Sequence, residues 1–249
     1  MKRIIPLLIL SALALNTQAQ EKNQELLRIP EATEDWSRKP QVITPGKGTQ
    51  PPSDAIVLYA GASDLDKWEN LKGEPAKWDA GEELIMVPRT GPIKTKQAFG
   101  DVQLHIEWRA PAEVKGNGQG RGNSGVFLMG KYEVQVLDSY DNETYYNGQA
   151  GSIYKQTIPL VNASLPPGEW QTYDIIFKAP VFKEDGGKAC SGYITVIHNG
   201  VLIQNHVEIL GTTEYIGRPK NESHPAKLPL QLQDHGNPVS YRNIWVREL

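Results

Sequence analysis

Three stretches of the chain carry side chains suited to binding or transforming a polar ligand. Gln103, His105, Glu107 and Arg109 alternate with Val102, Leu104, Ile106 and Trp108; Glu133 and Gln135 alternate with Val134 and Val136; Gln231, Gln233 and His235 alternate with Leu230 and Leu232. Successive strand residues point to opposite faces, so each stretch presents an apolar row and a bonding row. A solvated sheet face usually carries Thr, Lys, Ser and Glu. Amides, imidazole and guanidinium suit sugar hydroxyls, which both donate and accept hydrogen bonds. A carboxylate and an imidazole can also move protons. His235 precedes Gly236-Asn237-Pro238, a tight turn able to hold the ring at a cleft rim.

The same residues admit plainer readings. The rows could be solvated faces, with His105 an ordinary surface residue. Glu107 and Arg109 could form a structural ion pair. Asn123-Ser124-Gly125 could be only a turn, His198 and His206 flank a hairpin, and His224 sits in a polar loop. No two histidines stand at a compact metal-ligand spacing, and Cys190 is the single cysteine, which excludes an internal disulfide and a cysteine cluster. Gly116-Asn117-Gly118-Gln119-Gly120 lacks the strand, helix and lysine of a phosphate loop.

The elements that must position these residues are short strands. Beyond Val102–Arg109, the sequence predicts strands over Phe127–Leu137, Thr172–Phe177, Tyr193–His198, Val201–Asn205, Pro229–His235 and Tyr241–Val246, with a type I′ turn at Asn199-Gly200. Long amphipathic helical patterns are missing from residues 54–249. The fold class expected is therefore all-β, a jelly-roll sandwich of two antiparallel sheets. Ahead of it, residues 20–53 read as a polar, Pro-rich leader, with a short helix possible over Gln20–Leu27. Lys2 and Arg3, the apolar run Ile4–Leu15 and Thr17-Gln18-Ala19 have the three-part pattern of a secretory signal peptide over residues 1–19. That run is shorter than the roughly 20 apolar residues a membrane span needs. The expected location is periplasmic or secreted. Formal net charge is −3 with no basic cluster, which argues against nucleic acid as a partner.

Asn123-Ser124-Gly125-Val126-Phe127, Tyr132 through Ser139, Gly148 through Tyr154, and Leu232 through Val239 with Arg242-Asn243-Ile244-Trp245 together resemble the 3-keto-disaccharide hydrolase family. The resemblance covers Asp54 to Leu249, and Leu58-Tyr59-Ala60-Gly61 departs from the family's usual opening at what reads as an edge strand and turn. It implies a concanavalin A-like jelly roll. It also implies a carbohydrate substrate, a 3-keto-glycoside, cleaved by hydrolysis or by elimination across C1–C2. A 3-ketone acidifies the hydrogen on carbon 2; a base removes it, and the enolate expels the group on carbon 1. Such a site needs a base, an acid for the leaving oxygen and donors for the enolate. Glu133 and His235 are the candidates for base and acid. Arg109 or Arg242 could stabilise negative charge. Asn123, Gln135, Tyr154 and Gln233 could hold hydroxyls, and Glu107 could hold sugar or position Arg109. A divalent ion could replace the arginine, with Glu133 and His235 as ligands.

Two other functions compete. A non-catalytic carbohydrate-binding module uses the same architecture. A glucanase acting on unmodified glucans would typically carry Glu-x-Asp-x-x-Glu on one strand, and Glu133-Val134-Gln135 has an amide where the second acid would stand. The signal-peptide reading predicts a mature chain that begins near Gln20, checked by N-terminal sequencing of exported protein.

Overall fold

The computed structural model describes residues 28–249. The signal segment and the short helix expected over Gln20–Leu27 lie outside the described residues. Residues 28–42 form a unit of their own, carrying a 3-10 turn at Pro30–Thr33 and a Trp36 indole that donates to Glu34.

Residues 43–249 form the second unit. Its strands are β1 (Ile56–Tyr59), β2 (Trp68–Asn70), β3 (Asp79–Ala80), β4 (Leu84–Ile85), β5 (Ile93–Phe99), β6 (Val102–Arg109), β7 (Ser124–Leu128), β8 (Tyr132–Val136), β9 (Gln171–Lys178), β10 (Val181–Phe182), β11 (Lys188–Cys190), β12 (Gly192–His198), β13 (Val201–Ile209), β14 (Leu228–Leu232) and β15 (Ser240–Glu248). A large sheet runs β13-β12-β9-β6-β15-β4-β3, with β1 also paired to β15; a small sheet runs β2-β5-β14-β7-β8; β10 and β11 make a separate ribbon. The pairings are antiparallel, and the chain alternates between the sheets, from β5 to β6 to β7–β8 to β9 and from β13 to β14 to β15. The fold is the all-β jelly-roll sandwich the sequence predicts.

Alternation fixes which rows meet. Leu104, Ile106 and Trp108 of β6, Tyr173, Ile175 and Phe177 of β9, and Val134, Val136, Leu230 and Leu232 of the small sheet are fully or almost fully buried in one core. The row expected as one strand over Phe127–Leu137 is a hairpin instead. β7 and β8 pair in register Phe127↔Glu133 around a turn in which Met129 takes left-handed backbone (φ 56°). A methionine gives no turn signal, so only Gly130 marked the break. The Asn199-Gly200 turn forms as expected, with φ of 51° and 78°. Pro229 sits in an interior strand, where it cannot donate to the ladder. The register between β14 and β5 shifts beside it, and the buried Thr95 hydroxyl accepts from Leu230 N at 3.1 Å.

Two phenols cross the core. Tyr173 of the large sheet donates to the Gln135 carbonyl of the small sheet at 2.8 Å. Tyr241 donates to Ser124 Oγ, which donates in turn to the Gln233 carbonyl, both at 2.6 Å. The outer face of the large sheet is covered as well. Residues 43–53, read from sequence as leader, lie across it, and the Thr49 carbonyl accepts from Asn243 Nδ2 at 2.8 Å and Trp245 Nε1 at 3.0 Å. That cover buries His105, whose ring stacks on Trp245 and whose Nδ1 lies 2.7 Å from Asp174 Oδ1.

Ile106 is fully buried between the sheets. Ile106→Ala should cost about 2–5 kcal/mol of unfolding free energy, the usual range for emptying a packed aliphatic site. Chemical denaturation checks this.

Candidate active site

A cavity of about 730 Å³ opens on the outer face of the small sheet. That volume lies within the range of small-molecule sites, about 300–1,000 Å³. β8 supplies Glu133 and Gln135, which alternate with the core residues Val134 and Val136. β7 contributes Phe127, and Asn123 stands just before it. Gln233 and His235 follow the end of β14, which stops at Leu232 rather than continuing to His235. Residues 149–157 run along the free edge of β8: Gln135 N donates to the Ser152 carbonyl and Tyr154 N to the Glu133 carbonyl. This brings Tyr154 to the cavity wall.

Six of the residues singled out in the sequence thus meet here: Glu133, His235, Asn123, Gln135, Tyr154 and Gln233. Arg109, Arg242 and Glu107 do not. β6 and β15 belong to the large sheet, and the outward faces of two packed sheets point away from each other. The charge-stabilising role expected of Arg109 or Arg242 at this pocket is therefore corrected by the sheet to which each belongs. Arg109 Nη2 lies 2.7 Å from both Glu83 carboxylate oxygens, and Arg242 Nε lies 2.6 Å from Glu107 Oε2. Both guanidinium groups rest on the Trp170 ring. Glu107 pairs with Arg242 rather than positioning Arg109. Burial would raise its pKa, but hydrogen bonds from Asn243, Arg242 and Thr49 outweigh that and hold it below the usual carboxylate value.

No sequence pattern pointed to Gln119, which lines the cavity from a 3-10 turn over Gly118–Gly120, or to Tyr145, Lys155, Thr213 and Tyr215, which line it from irregular segments. Gln119 comes from the glycine-rich stretch that fails as a phosphate loop. Tyr145 and Tyr154 share a hydroxyl–hydroxyl bond of 2.6 Å. Burial, then that bond, push the Tyr154 phenol above its ordinary pKa. Lys155 is the cavity's cation. Its ammonium faces the rings of Tyr145, Tyr154 and Tyr215 and donates to the Tyr215 carbonyl. Its backbone is left-handed (φ 56°) and its N–H donates to the Asn147 carbonyl at 2.8 Å. Such strain persists only where surrounding contacts hold it.

Glu133 is the central group. It is 3 % exposed, and burial pushes its carboxyl up to a pKa of about 8. Its side chain lies over Gly125: a Cβ there would stand 2.4 Å from Glu133 Oε1 and 2.8 Å from the Phe127 ring. Glycine at 125 is what lets the carboxyl lie flat against β7. Gln233 Oε1 is buried with no protein partner, an acceptor suited to a hydroxyl donor. Among the described residues no three His, Cys, Asp or Glu side chains gather as a metal-ligating group. Of these residue types the cavity offers Glu133 and the exposed His235, and Lys155 beside them is a cation. Glu133 and His235, the two ligands expected for a divalent ion in place of arginine, thus come without a third group of these types.

A family model described as the 3-keto-alpha-glucoside-1,2-lyase-like domain matches residues 54–247, a span that includes every residue lining the cavity. The chain belongs to that family. A crystal structure from Parabacteroides distasonis ATCC 8503, provisionally named a glycosyl hydrolase, is 52% identical to this chain. It covers 89% of this chain and 97% of its own, with a TM-score of 0.85. A second structure from the same organism, named in the same way, is 19% identical, covers 79% of this chain and 94% of its own, and has a TM-score of 0.57; at that identity it shows the fold alone. A comparison with curated proteins gives no match. No helix among the described residues is long and apolar enough to cross a membrane.

The contact at Gly125 generates a direct test. Gly125→Ala should displace the Glu133 carboxyl and cost about 1–3 kcal/mol, the usual range for overpacking a close contact. Thermal or chemical unfolding measures the loss.

Proposed function

We propose that this carbohydrate-active enzyme cleaves 3-keto-glycosides in the cavity of the small sheet, with Glu133 as the proton-transferring group on its floor. The observation that carries the reading is the buried Glu133 carboxyl facing a sugar-sized cavity, inside the segment that matches the family. A carboxyl with a pKa of about 8 is largely protonated at neutral pH and able to give its proton up. In this reading Glu133 protonates the departing oxygen, and His235 at the rim takes the proton from carbon 2. Lys155 supplies the positive charge that faces the enolate, in place of the arginines on the other sheet. Asn123, Gln135 and Gln233 meet the hydroxyls, while Tyr145, Tyr154 and Tyr215 offer flat faces to a ring. Water addition to the resulting unsaturated sugar gives net hydrolysis; release before that step gives a lyase product.

The test compares a 3-keto-disaccharide with its unoxidised parent and follows release of the leaving sugar. Wild type should turn over only the keto-sugar. Glu133→Gln keeps the size of the side chain but removes its acidic proton, and should lower kcat/KM about a hundredfold or more with the fold intact. Gln233→Ala should mainly raise KM. A binding module would bind plain glycans and turn over no keto-sugar.

The sign of the pH dependence follows from the role. Glu133 is protonated below about 8, so as an acid it should give a kcat/KM that falls as pH rises through about 8. This limb should be read in pH profiles of wild type and be missing from the residual activity of Glu133→Gln.

A further inference from the structure

The cavity floor contains a chain of amides whose orientations are mutually constrained. Gln119 Nε2 donates to the Gly148 carbonyl at 2.8 Å and to Thr144 Oγ1 at 3.1 Å. Turned over, it would place oxygen against that carbonyl. Asn123 Nδ2 donates to the Gln119 backbone carbonyl at 2.7 Å, which fixes that amide too. Both side-chain oxygens then face Gln135. Its amide nitrogen lies 3.1 Å from Gln119 Oε1 and 3.3 Å from Asn123 Oδ1. The Gln135 oxygen is thereby turned toward Glu133 Oε1, 3.0 Å away, with the Ser124 carbonyl at 3.3 Å.

Two oxygens 3.0 Å apart in a buried site need a hydrogen between them. Gln135 has no hydrogen to give on that side, so the carboxyl must supply it. Flipping Gln135 would let it donate to Glu133, but would set its oxygen against two acceptors that backbone carbonyls hold in place. The amide can satisfy Gln119 and Asn123, or an ionised Glu133 and the Ser124 carbonyl, and not both pairs; of the four acceptors around it only Glu133 can carry a hydrogen.

We propose that Gln135, locked by Gln119 and Asn123, is a positioning residue that holds Glu133 as a neutral acid and so sets its protonation state. This deepens the proposed function, resting on Glu133 as its proton-transferring group. Burial acts in the same direction as the amides and pushes the carboxyl up. Other titratable groups nearby do not replace the lock. Tyr154 reaches the cavity from residues 149–157 and Tyr241 of β15 lies behind the sheet; both phenols have raised pKa values and are neutral at ordinary pH. Lys155, Tyr145, Tyr215 and His235 also line the cavity, and the Thr213 hydroxyl accepts from the Glu133 backbone N–H.

The lock and simple burial predict opposite signs for one substitution. Gln119→Leu removes the acceptor that holds Gln135 and makes the surroundings more apolar. Burial alone would leave the Glu133 pKa unchanged or raise it. Release of the lock frees Gln135 to flip and donate to the carboxylate, and should lower that pKa by about one unit or more. The readout is the infrared carbonyl band of a protonated carboxyl, assigned by its loss in Glu133→Gln and titrated in the purified protein without substrate. The band should be present in wild type at pH 7, and its midpoint should fall in Gln119→Leu. Gln119→Met serves as a second variant should the leucine variant fold poorly. Absence of the band in wild type, or a midpoint unmoved or raised in the folded variant, overturns the proposal. Because the band is read without turnover, failure to cleave 3-keto-glycosides leaves this result separate.

Discussion

A carboxyl removed from water must find a cation, a set of donors or a proton. Among the described residues no cation pairs with Glu133, and the amide beside it presents oxygen rather than nitrogen. The site is organised around that scarcity. Gly125 yields the space over which the carboxyl lies, Phe127 walls it, and Gln119 and Asn123 keep Gln135 turned to receive its hydrogen. Desolvation alone would favour the neutral form. The amides add direction, because a hydrogen bond to the neutral form stabilises it at one particular oxygen. A proton so placed is available at the cavity rather than shared with solvent.

The second constraint is topological. A two-sheet sandwich has two outward faces, and a polar row can join a site only with rows on its own sheet. Glu107 and Arg109 carry functional-looking chemistry, yet β6 faces away from β8. The large sheet ties these charges to one another and to its cover: Glu107 meets Arg242 and Asn243, Asn243 and Trp245 donate to the Thr49 carbonyl, and Arg247 meets Asp54 just beyond it. A face that looked reactive is a docking surface for residues 43–53.

How much of this was legible follows from the range of each signal. Strand alternation is local, so the core rows of β6, β8 and β14 and the polar row containing Glu133 and Gln135 could be read directly. Sheet membership depends on pairing across the chain, from β6 to β9 and from β14 to β7, and no local pattern records it. The Phe127–Leu137 segment shows the same limit at short range, since a turn through Met129 looks like continuing strand. Tyr145, Lys155 and Tyr215 lie in irregular segments whose only order is tertiary. A left-handed lysine and a tyrosine beside a glycine-rich turn have no periodicity to detect. Gly148 through Tyr154, part of the family resemblance, runs along the edge of β8 and lines the cavity with Tyr154, a placement that no local pattern records.

The two phenols that cross the core act as rivets between layers. Tyr173 holds the carbonyl of Gln135, and Tyr241 holds Ser124 one strand away. Sliding one sheet over the other would break both bonds where no water can replace them, a cost of about 1–3 kcal/mol for each stranded group. The shear of the sandwich is therefore blocked beneath the very strands that form the cavity floor. Tyr145, Lys155 and Tyr215 come from irregular segments outside that riveted pair of layers, so the cavity has a floor fixed by the sandwich and walls fixed by contacts among the loops themselves.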